Sequence, residues 1–395
     1  MIKPISVFYE GQDDLIEVLA TSIASVCYNT KSFINFYILD CGICELNKKL
    51  LETLKHKFDN FTIEYIPMDL KKFSQLKGYT EKNYVDCYSR LLIPELKPEL
   101  DKAIYLDVDI ILMDDIKKLW DEDLKGYELG ACADLGYQKF IQTRCVEQLG
   151  ISKEQIYLNA GVLLLDIKQW KKNRVSDQLF KIAEKYKAEI VYVCEDILNL
   201  YYNHNKYKLL PLRYNLHQLE NFIQDVCAPN ITDDYVNEEW KKIVVLHLSP
   251  AKPWKIGEYR NEDLKYFSCF WFFSKMTPFY EGLALRFNNN SNKTMLGVTL
   301  GTLHGLYSDL QKKVSDKCTK EKIKLFNFLP LLTVKHKNKT TKYKLFGFIP
   351  FWVENVIVFS EELPSVSHTL NVRVWYPSSN SGISYITVPF PYVPD

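Results

Sequence analysis

The chain has 395 residues, enough for one large domain and an appendage at roughly 100–200 residues per domain. Its 47% apolar and 25% charged residues are those of an ordinary globular protein, and a net charge of +1 gives no bulk attraction to nucleic acid. Apolar runs are all shorter than the ~18–20 residues a membrane-spanning helix needs.

Residues 5–9 read as a strand that begins close enough to Met1 to leave no room for a signal peptide, which predicts a cytoplasmic protein with reduced thiols. An amphipathic helix over 15–28 and a strand over 33–39 follow. Cys41-Gly42-Ile43-Cys44 is the one CxxC and has no second pair at zinc-finger spacing, so the expectation is two reduced thiols after a strand. A helix over 45–58, a strand over 61–67, a helix over 84–93 stopped by Pro94 and a strand over 103–112 complete the first half. This alternation predicts an α/β domain with a mainly parallel sheet, binding ligands beyond the carboxyl ends of its strands. Strands at 128–133 and 161–166, a helix over 175–186 and a helix from 196 to 202 come next. A strand over 244–248 runs into the turn-rich Ser249-Pro250-Ala251-Lys252-Pro253-Trp254, and a helix covers 263–273. The catalytic unit is expected over residues 1–285, a linker or helical segment over 286–321, and a C-terminal extension over 322–395.

Within the strand at 103–112 stands Asp107-Val108-Asp109. Strand alternation puts both carboxylates on one side and Val108 on the other. Unpaired carboxylates are costly to bury, so such a pair belongs at a strand mouth, on a metal or in a binding crevice. Oxygen ligands at this spacing suit Mg²⁺ or Mn²⁺ carrying a substrate diphosphate, whereas a pair without partners would be only a solvated strand end.

Four segments keep the pair company. Tyr88-Ser89-Arg90 offers a guanidinium ahead of the acidic strand, or else a surface ion pair. Asn159-Ala160-Gly161 reads as a turn of polar and small residues opening a strand, where a ligand can approach the backbone. Cys194-Glu195-Asp196 places acids at a helix start, where a capping role competes with a chemical one. His247, followed by Lys252 in a Pro-bounded turn, offers an imidazole for a metal and an ammonium for a phosphate.

Taken in order, Tyr-Leu-Asp-x-Asp ending at Asp109, Asn-Ala-Gly starting at Asn159, Asp-x-Leu-Asn starting at Asp196, and His247 with Lys-Pro-Trp ending at Trp254 resemble glycosyltransferase family 8. The resemblance covers roughly residues 5 to 273. It implies the GT-A fold, a Rossmann-like nucleotide-diphospho-sugar transferase with a mixed, mainly parallel sheet between helices. It also implies a retaining, Mn²⁺-dependent hexosyltransferase (Mg²⁺ being the alternative ion) that uses a UDP-sugar donor, glucose or galactose. The acceptor would be a saccharide or lipid-linked saccharide in lipopolysaccharide or other surface-glycan synthesis. Carried over by position, Asp107, Asp109 and His247 would hold the metal and Lys252 the diphosphate. Arg90, Val108, Asp134, Asn159, Ala160 and Gly161 would line the donor site, and Tyr9, Gln12 and Asp13 match the segment that holds the base and ribose. Glu195, Asp134 and Asp196 are the acids implied for catalysis, Glu195 as a nucleophile by analogy with retaining glycosidases. Three departures stand out. Tyr9-Glu10-Gly11-Gln12-Asp13-Asp14 replaces an Asp-Asp-Asn-Tyr segment, Cys194-Glu195-Asp196 replaces Asp-Gln-Asp, and the His-to-Lys loop lacks a glycine before Pro250 and is one residue short. The rival readings are a pseudoenzyme that binds UDP-sugar without turnover and a metal-dependent nucleotidyltransferase, which would need a better glycine-rich phosphate loop than Glu10-Gly11-Gln12-Asp13.

The C-terminal extension holds a repeat: Lys322-Ile323-Lys324-Leu325-Phe326-Asn327-Phe328-Leu329-Pro330 recurs 20 residues later from Lys342 to Pro350. Lysines beside Phe, Leu and Trp352 fit the anionic inner face of the cytoplasmic membrane, to which the protein would attach peripherally. The competing reading is a pair of amphipathic strands packed on the catalytic domain. Nucleic acid is not an expected partner.

Overall fold

The computed structural model describes residues 3–78, 85–137, 139–203, 206–217, 231–249, 252–254 and 264–288, and six strands between 322 and 389. It divides into two compact units, residues 1–305 and 306–395. In chain order the first unit contains β1 (Ile5–Gly11), α1 (Ile16–Asn29), β2 (Ile34–Asp40), α2 (Glu45–Glu52) and β3 (Phe61–Pro67). Then come α3 (Ile93–Leu96), β4 (Lys102–Leu106), β5 (Ile110–Leu112), α4 (Lys117–Trp120), β6 (Leu129–Ala133), α5 (Lys139–Leu149) and β7 (Leu158–Asp166). It closes with α6 (Ile167–Lys172), α7 (Val175–Lys185), α8 (Val193–Tyr201), β8 (Lys208–Leu209), β9 (Leu216–His217), α9 (Asp233–Trp240), β10 (Val245–His247), α10 (Leu264–Ser274) and α11 (Tyr280–Asn288).

The main sheet is mixed and mainly parallel, in the order β3-β2-β1-β4-β7-β6-β8, with β7 antiparallel to both its neighbours. Its central strands are apolar runs because both faces are covered. In β1, β2 and β4, Val7, Ile38 and Ile104 enter one core, while Phe8, Leu39 and Tyr105 enter another. Helix α1 is buried almost all round, as a helix packed on two sides must be. One side lies on the sheet through Leu19 and Ile23; Val18 and Ala24 join the aromatic cluster of Phe267, Phe270 and Trp271 from α10.

The strand expected over 103–112 is two strands. β4 ends at Leu106, and β5 belongs to a second sheet of order β5-β10-β9. Asp107, Val108 and Asp109 form the turn between the sheets, so strand alternation does not govern where they sit. The backbone pins this turn from both sides: the Asp107 N–H donates to the Gly161 carbonyl at 2.8 Å, and the Leu248 N–H donates to the Asp109 carbonyl at 2.9 Å. Val108 packs beneath it against two core clusters.

Other expectations change in detail. The segment expected as one helix over 84–93 is a 3₁₀ turn over Asp86–Leu92 followed by α3, in which Pro94 stands in the first turn rather than ending a helix. Asn159-Ala160-Gly161 lies inside β7 instead of in a turn before it. The helix expected over 45–58 is α2 and a 3₁₀ turn ending at His56. The boundary expected at 285 falls inside α11, and the linker beyond Asn288 lies outside the described residues. Among the described residues no helix is long and apolar enough to cross a membrane.

The second unit is a six-stranded antiparallel meander: β11 (Lys322–Leu325), β12 (Leu329–Lys337), β13 (Thr340–Leu345), β14 (Val356–Val358), β15 (Thr369–Val374) and β16 (Ser384–Pro389). The Lys-x-Lys-Leu of both repeat copies is strand, and the copies flank β12, with Thr333 opposite Lys322 on one side and Lys344 on the other. Phe326, Phe328, Phe346, Phe348 and Trp352 lie outside the described residues.

Candidate active site

The turn between the two sheets brings Asp107 and Asp109 up against His247 at the end of β10, with ligand atoms from all three within 4.8 Å of one another. His247 Nε2 lies 3.3 Å from Asp109 Oδ1, while its Nδ1 meets Asn215 Oδ1 at 2.9 Å. Since the amide Nδ2 of Asn215 donates to Asn159 Oδ1 at 2.7 Å, its oxygen is left to accept from the imidazole. That fixes Nδ1 as the protonated nitrogen and leaves the Nε2 lone pair for a metal.

The donor set, two carboxylates and an imidazole, suits a divalent first-row cation. Gly161 gives the most specific sign of fit. A Cβ there would lie 2.5 Å from His247 Cε1 and 2.9 Å from Asp107 Oδ2, so the strand is cut back to hydrogen where the ligands converge. Lys252 reaches the same place, donating to the Leu248 carbonyl at 2.7 Å and pairing with Asp109. Burial pushes the Asp109 carboxyl up, but the Lys252 ammonium beside it outweighs that and holds Asp109 well below the usual carboxylate range.

Beside this centre lie two acids, Asp134 buried and Glu195 half-buried. Glu195, in the first turn of α8, accepts from the Ala160 N–H and from Asn159 Nδ2, both at 3.1 Å and through Oε2. Asp134, after β6, accepts from the Gly136 N–H at 2.9 Å and stands 3.4 Å from the same Asn159 amide. Burial raises both carboxyls, and for Glu195 the charge of Asp134 adds to it.

The model of the Glycosyl transferase family 8 domain matches residues 6–256. The chain belongs to glycosyltransferase family 8. It is similar to the lipopolysaccharide 1,2-glucosyltransferase of Escherichia coli, 27% identical over 255 residues that cover 62% of this chain and 71% of that one. It is also similar to general stress protein A of Bacillus subtilis, 26% identical over 245 residues covering 60% and 82%. Among solved structures, an active-site mutant of LgtC superposes with a TM-score of 0.58 at 26% identity, over 67% of this chain and 95% of LgtC. The fold is GT-A, and the protein is a glycosyltransferase.

Several residues of the family-8 motifs therefore meet in this glycosyltransferase: Asp107, Asp109, His247, Lys252, Arg90, Asp134, Asn159, Ala160, Gly161 and Glu195. Others do not join them. Asp196 is fully buried, held by Arg144 Nη2 at 2.7 Å, by the Tyr157 hydroxyl at 2.6 Å, and by the Val191 and Tyr192 N–H groups. With its oxygens so occupied it fixes the start of α8. Tyr9 is also fully buried, its hydroxyl bonded to Ser22 in the core, so it cannot reach a base. Asp13 ties down the Cys44 N–H and Asn47, both at 2.9 Å, ahead of α2. Gln12 is half-buried beside it, and Cys194 donates its thiol to the Cys87 carbonyl at 2.9 Å.

Sequence reasoning missed Asn215 and His217, and gave no role of their own to Tyr105 of the Tyr-Leu-Asp-x-Asp motif or to Glu10 of the segment from Tyr9 to Asp13. Tyr105 was open to discovery, because it stands two residues before Asp107 and donates to Asp107 Oδ1 at 2.7 Å. His217 pairs in register with His247, their rings 4.7 Å apart edge to face. Burial and the neighbouring His247 push its imidazole well below the usual range, so it is neutral. Nothing in the spacing of an isolated histidine marks such a place.

Proposed function

We propose that this enzyme is a retaining, Mn²⁺-dependent hexosyltransferase that moves glucose or galactose from a UDP-sugar to a saccharide or lipid-linked saccharide of a surface glycan such as lipopolysaccharide. The observation that carries the reading is the convergence of Asp107, Asp109 and His247 around the hydrogen of Gly161, next to a carboxylate that two N–H donors hold in place. The lipopolysaccharide glucosyltransferase named among its relatives supports the donor and acceptor class.

Bound at Asp107, Asp109 and His247, a divalent cation would serve as Lewis acid toward the donor's diphosphate. The protein's own groups do the rest. The Lys252 ammonium adds fixed positive charge where negative charge grows as the sugar–phosphate bond breaks. Ala160 N–H and Asn159 hold the Glu195 carboxylate through Oε2, in hydrogen-bond contact with Asp134. In a double displacement a Glu195 carboxylate oxygen bonds to the anomeric carbon as the bond to the UDP oxygen breaks; the acceptor hydroxyl then displaces Glu195, restoring the original configuration. Asp134, raised by burial, is the neighbouring group that can hold the acceptor's proton.

Asparagine at Asp107 or Asp109 should abolish Mn²⁺-dependent UDP binding, measured by titration calorimetry with and without the ion. Unchanged binding would remove the metal assignment.

Attachment to the inner face of the cytoplasmic membrane is proposed for the second unit. The register supports it: Lys335 stands opposite Lys342, and Thr333 opposite both Lys322 and Lys344, so these lysines and Lys337 share one face of the sheet. Arg373 falls on that same face through the pairings of Lys342 with Ile357 and Ile357 with Asn371. None of the six strands contains an acidic residue. Such a face suits anionic headgroups electrostatically.

A further inference from the structure

Glu10 takes no part in the chemistry above, yet it is wired to the metal site. It sits near the end of β1 and accepts from Arg90 twice, Nε to Oε1 at 3.2 Å and Nη2 to Oε2 at 3.1 Å, with Ser89 Oγ at 3.1 Å on Oε1. The other edge of the same guanidinium serves the metal side, where Nη1 lies 3.1 Å from Asp107 Oδ1 and 3.1 Å from the Ala160 carbonyl. Tyr105 supports the arrangement, its ring 4.3 Å from the guanidinium carbon and its hydroxyl on Asp107 Oδ1. Asp107 thus meets two donors through Oδ1, while Oδ2 lies on the Gly161 and His247 side.

We propose that Glu10 is a positioning residue for the metal centre, resting on the metal reading above. Burial raises the Glu10 carboxyl to about 7, and above that value its carboxylate shares the charge of Arg90 and fixes the plane of the guanidinium, so binding is compared on the alkaline side of 7. Arg90 can then orient Asp107 Oδ1 without neutralising the carboxylate whose Oδ2 must bind a cation. Without the Glu10 charge, the guanidinium sits opposite Asp107 alone and competes with the metal for it. Groups that orient a metal ligand from outside typically change metal affinity about ten- to a hundredfold, which sets the expected size.

The test titrates Mn²⁺ alone into the full-length protein by calorimetry, with circular dichroism to establish that each variant is folded. Glu10→Gln keeps the shape and removes the charge, and should weaken Mn²⁺ binding about ten- to a hundredfold. Glu10→Asp, which restores the charge on a shorter arm, should recover part of the loss. A role limited to packing would lower thermal stability while leaving Mn²⁺ affinity as in the wild type, and that result in Glu10→Gln would overturn the proposal. Should Glu10→Gln not fold, wild-type Mn²⁺ affinity in Arg90→Gln, which removes the guanidinium charge that Glu10 shares, would overturn it equally. Asp109→Asn separates the two claims. If it loses Mn²⁺ while Glu10→Gln does not, only the positioning role fails; if it keeps Mn²⁺, the metal site itself is wrong.

Discussion

Glu195 enters the reaction as a half-buried acid whose carboxyl is pushed well above 4.5, first by loss of solvation and then by Asp134. Attack on a sugar carbon needs the ionised form, so the rate should rise with pH and be lost as pH falls through that raised value. Donor hydrolysis measured against pH should therefore show an acid limb displaced upward from the ordinary carboxylate range, and a limb near pH 4 would contradict the assignment. Glu195→Gln should lower the rate by at least about a hundredfold, and a near-normal rate would end the nucleophile reading. The sign for stability is opposite. A folded value above 4.5 contributes stability fully present below 4.5, and that contribution is lost as pH climbs through the folded value. At this scale the residues that gather at the site were legible in the sequence because their types and order are unusual together. Tyr9 and Asp196 are not brought to the site, because a polar or aromatic group looks alike in sequence whether it faces a ligand or is satisfied within the core. Only Ser22 for Tyr9, and Arg144 with Tyr157 for Asp196, show where they sit.

Among elements, the start of α8 shows how positioning and chemistry are divided between neighbours. Asp196 has no exposed surface and is paired with Arg144, which keeps an exposed edge. Replacing Arg144 by methionine would leave a buried charge without its partner, costing about 3 kcal/mol, the low end of the range for broken buried pairs. Denaturant unfolding should register that loss, and a cost near zero would show that Tyr157 and the backbone N–H groups suffice. The main sheet was readable from sequence because strands covered on both faces stay apolar through their middles, as Phe36 to Leu39 of β2 and Ala103 to Leu106 of β4 do. That same property hid the break at Asp107. The run continues through Ile110, Ile111 and Leu112, and hydrophobicity cannot say that these residues pair with β10 rather than extending β4. Asn159 misled in the other direction. A polar residue before Ala-Gly signals a turn, but here Asn159 is held in extended backbone at the start of β7 by Asn215 and Glu195.

For the whole molecule, the two units carry separable claims. If the lysine face of the second unit binds anionic bilayers, replacing Lys335, Lys342 and Lys344 together by glutamine should reduce co-sedimentation with phosphatidylglycerol vesicles and weaken its dependence on salt. Donor hydrolysis in solution should stay unchanged. Equal sedimentation of the variant would contradict membrane docking by this face. The central claim concerns the first unit, and it is tested most directly by offering the full-length protein a panel of UDP-sugars with and without Mn²⁺ and measuring release of UDP, which requires no acceptor. UDP-glucose or UDP-galactose should be hydrolysed with Mn²⁺ present, and Asp109→Asn should abolish the reaction. Release of pyrophosphate in place of UDP, turnover indifferent to divalent metal, or UDP binding without any hydrolysis would contradict the account.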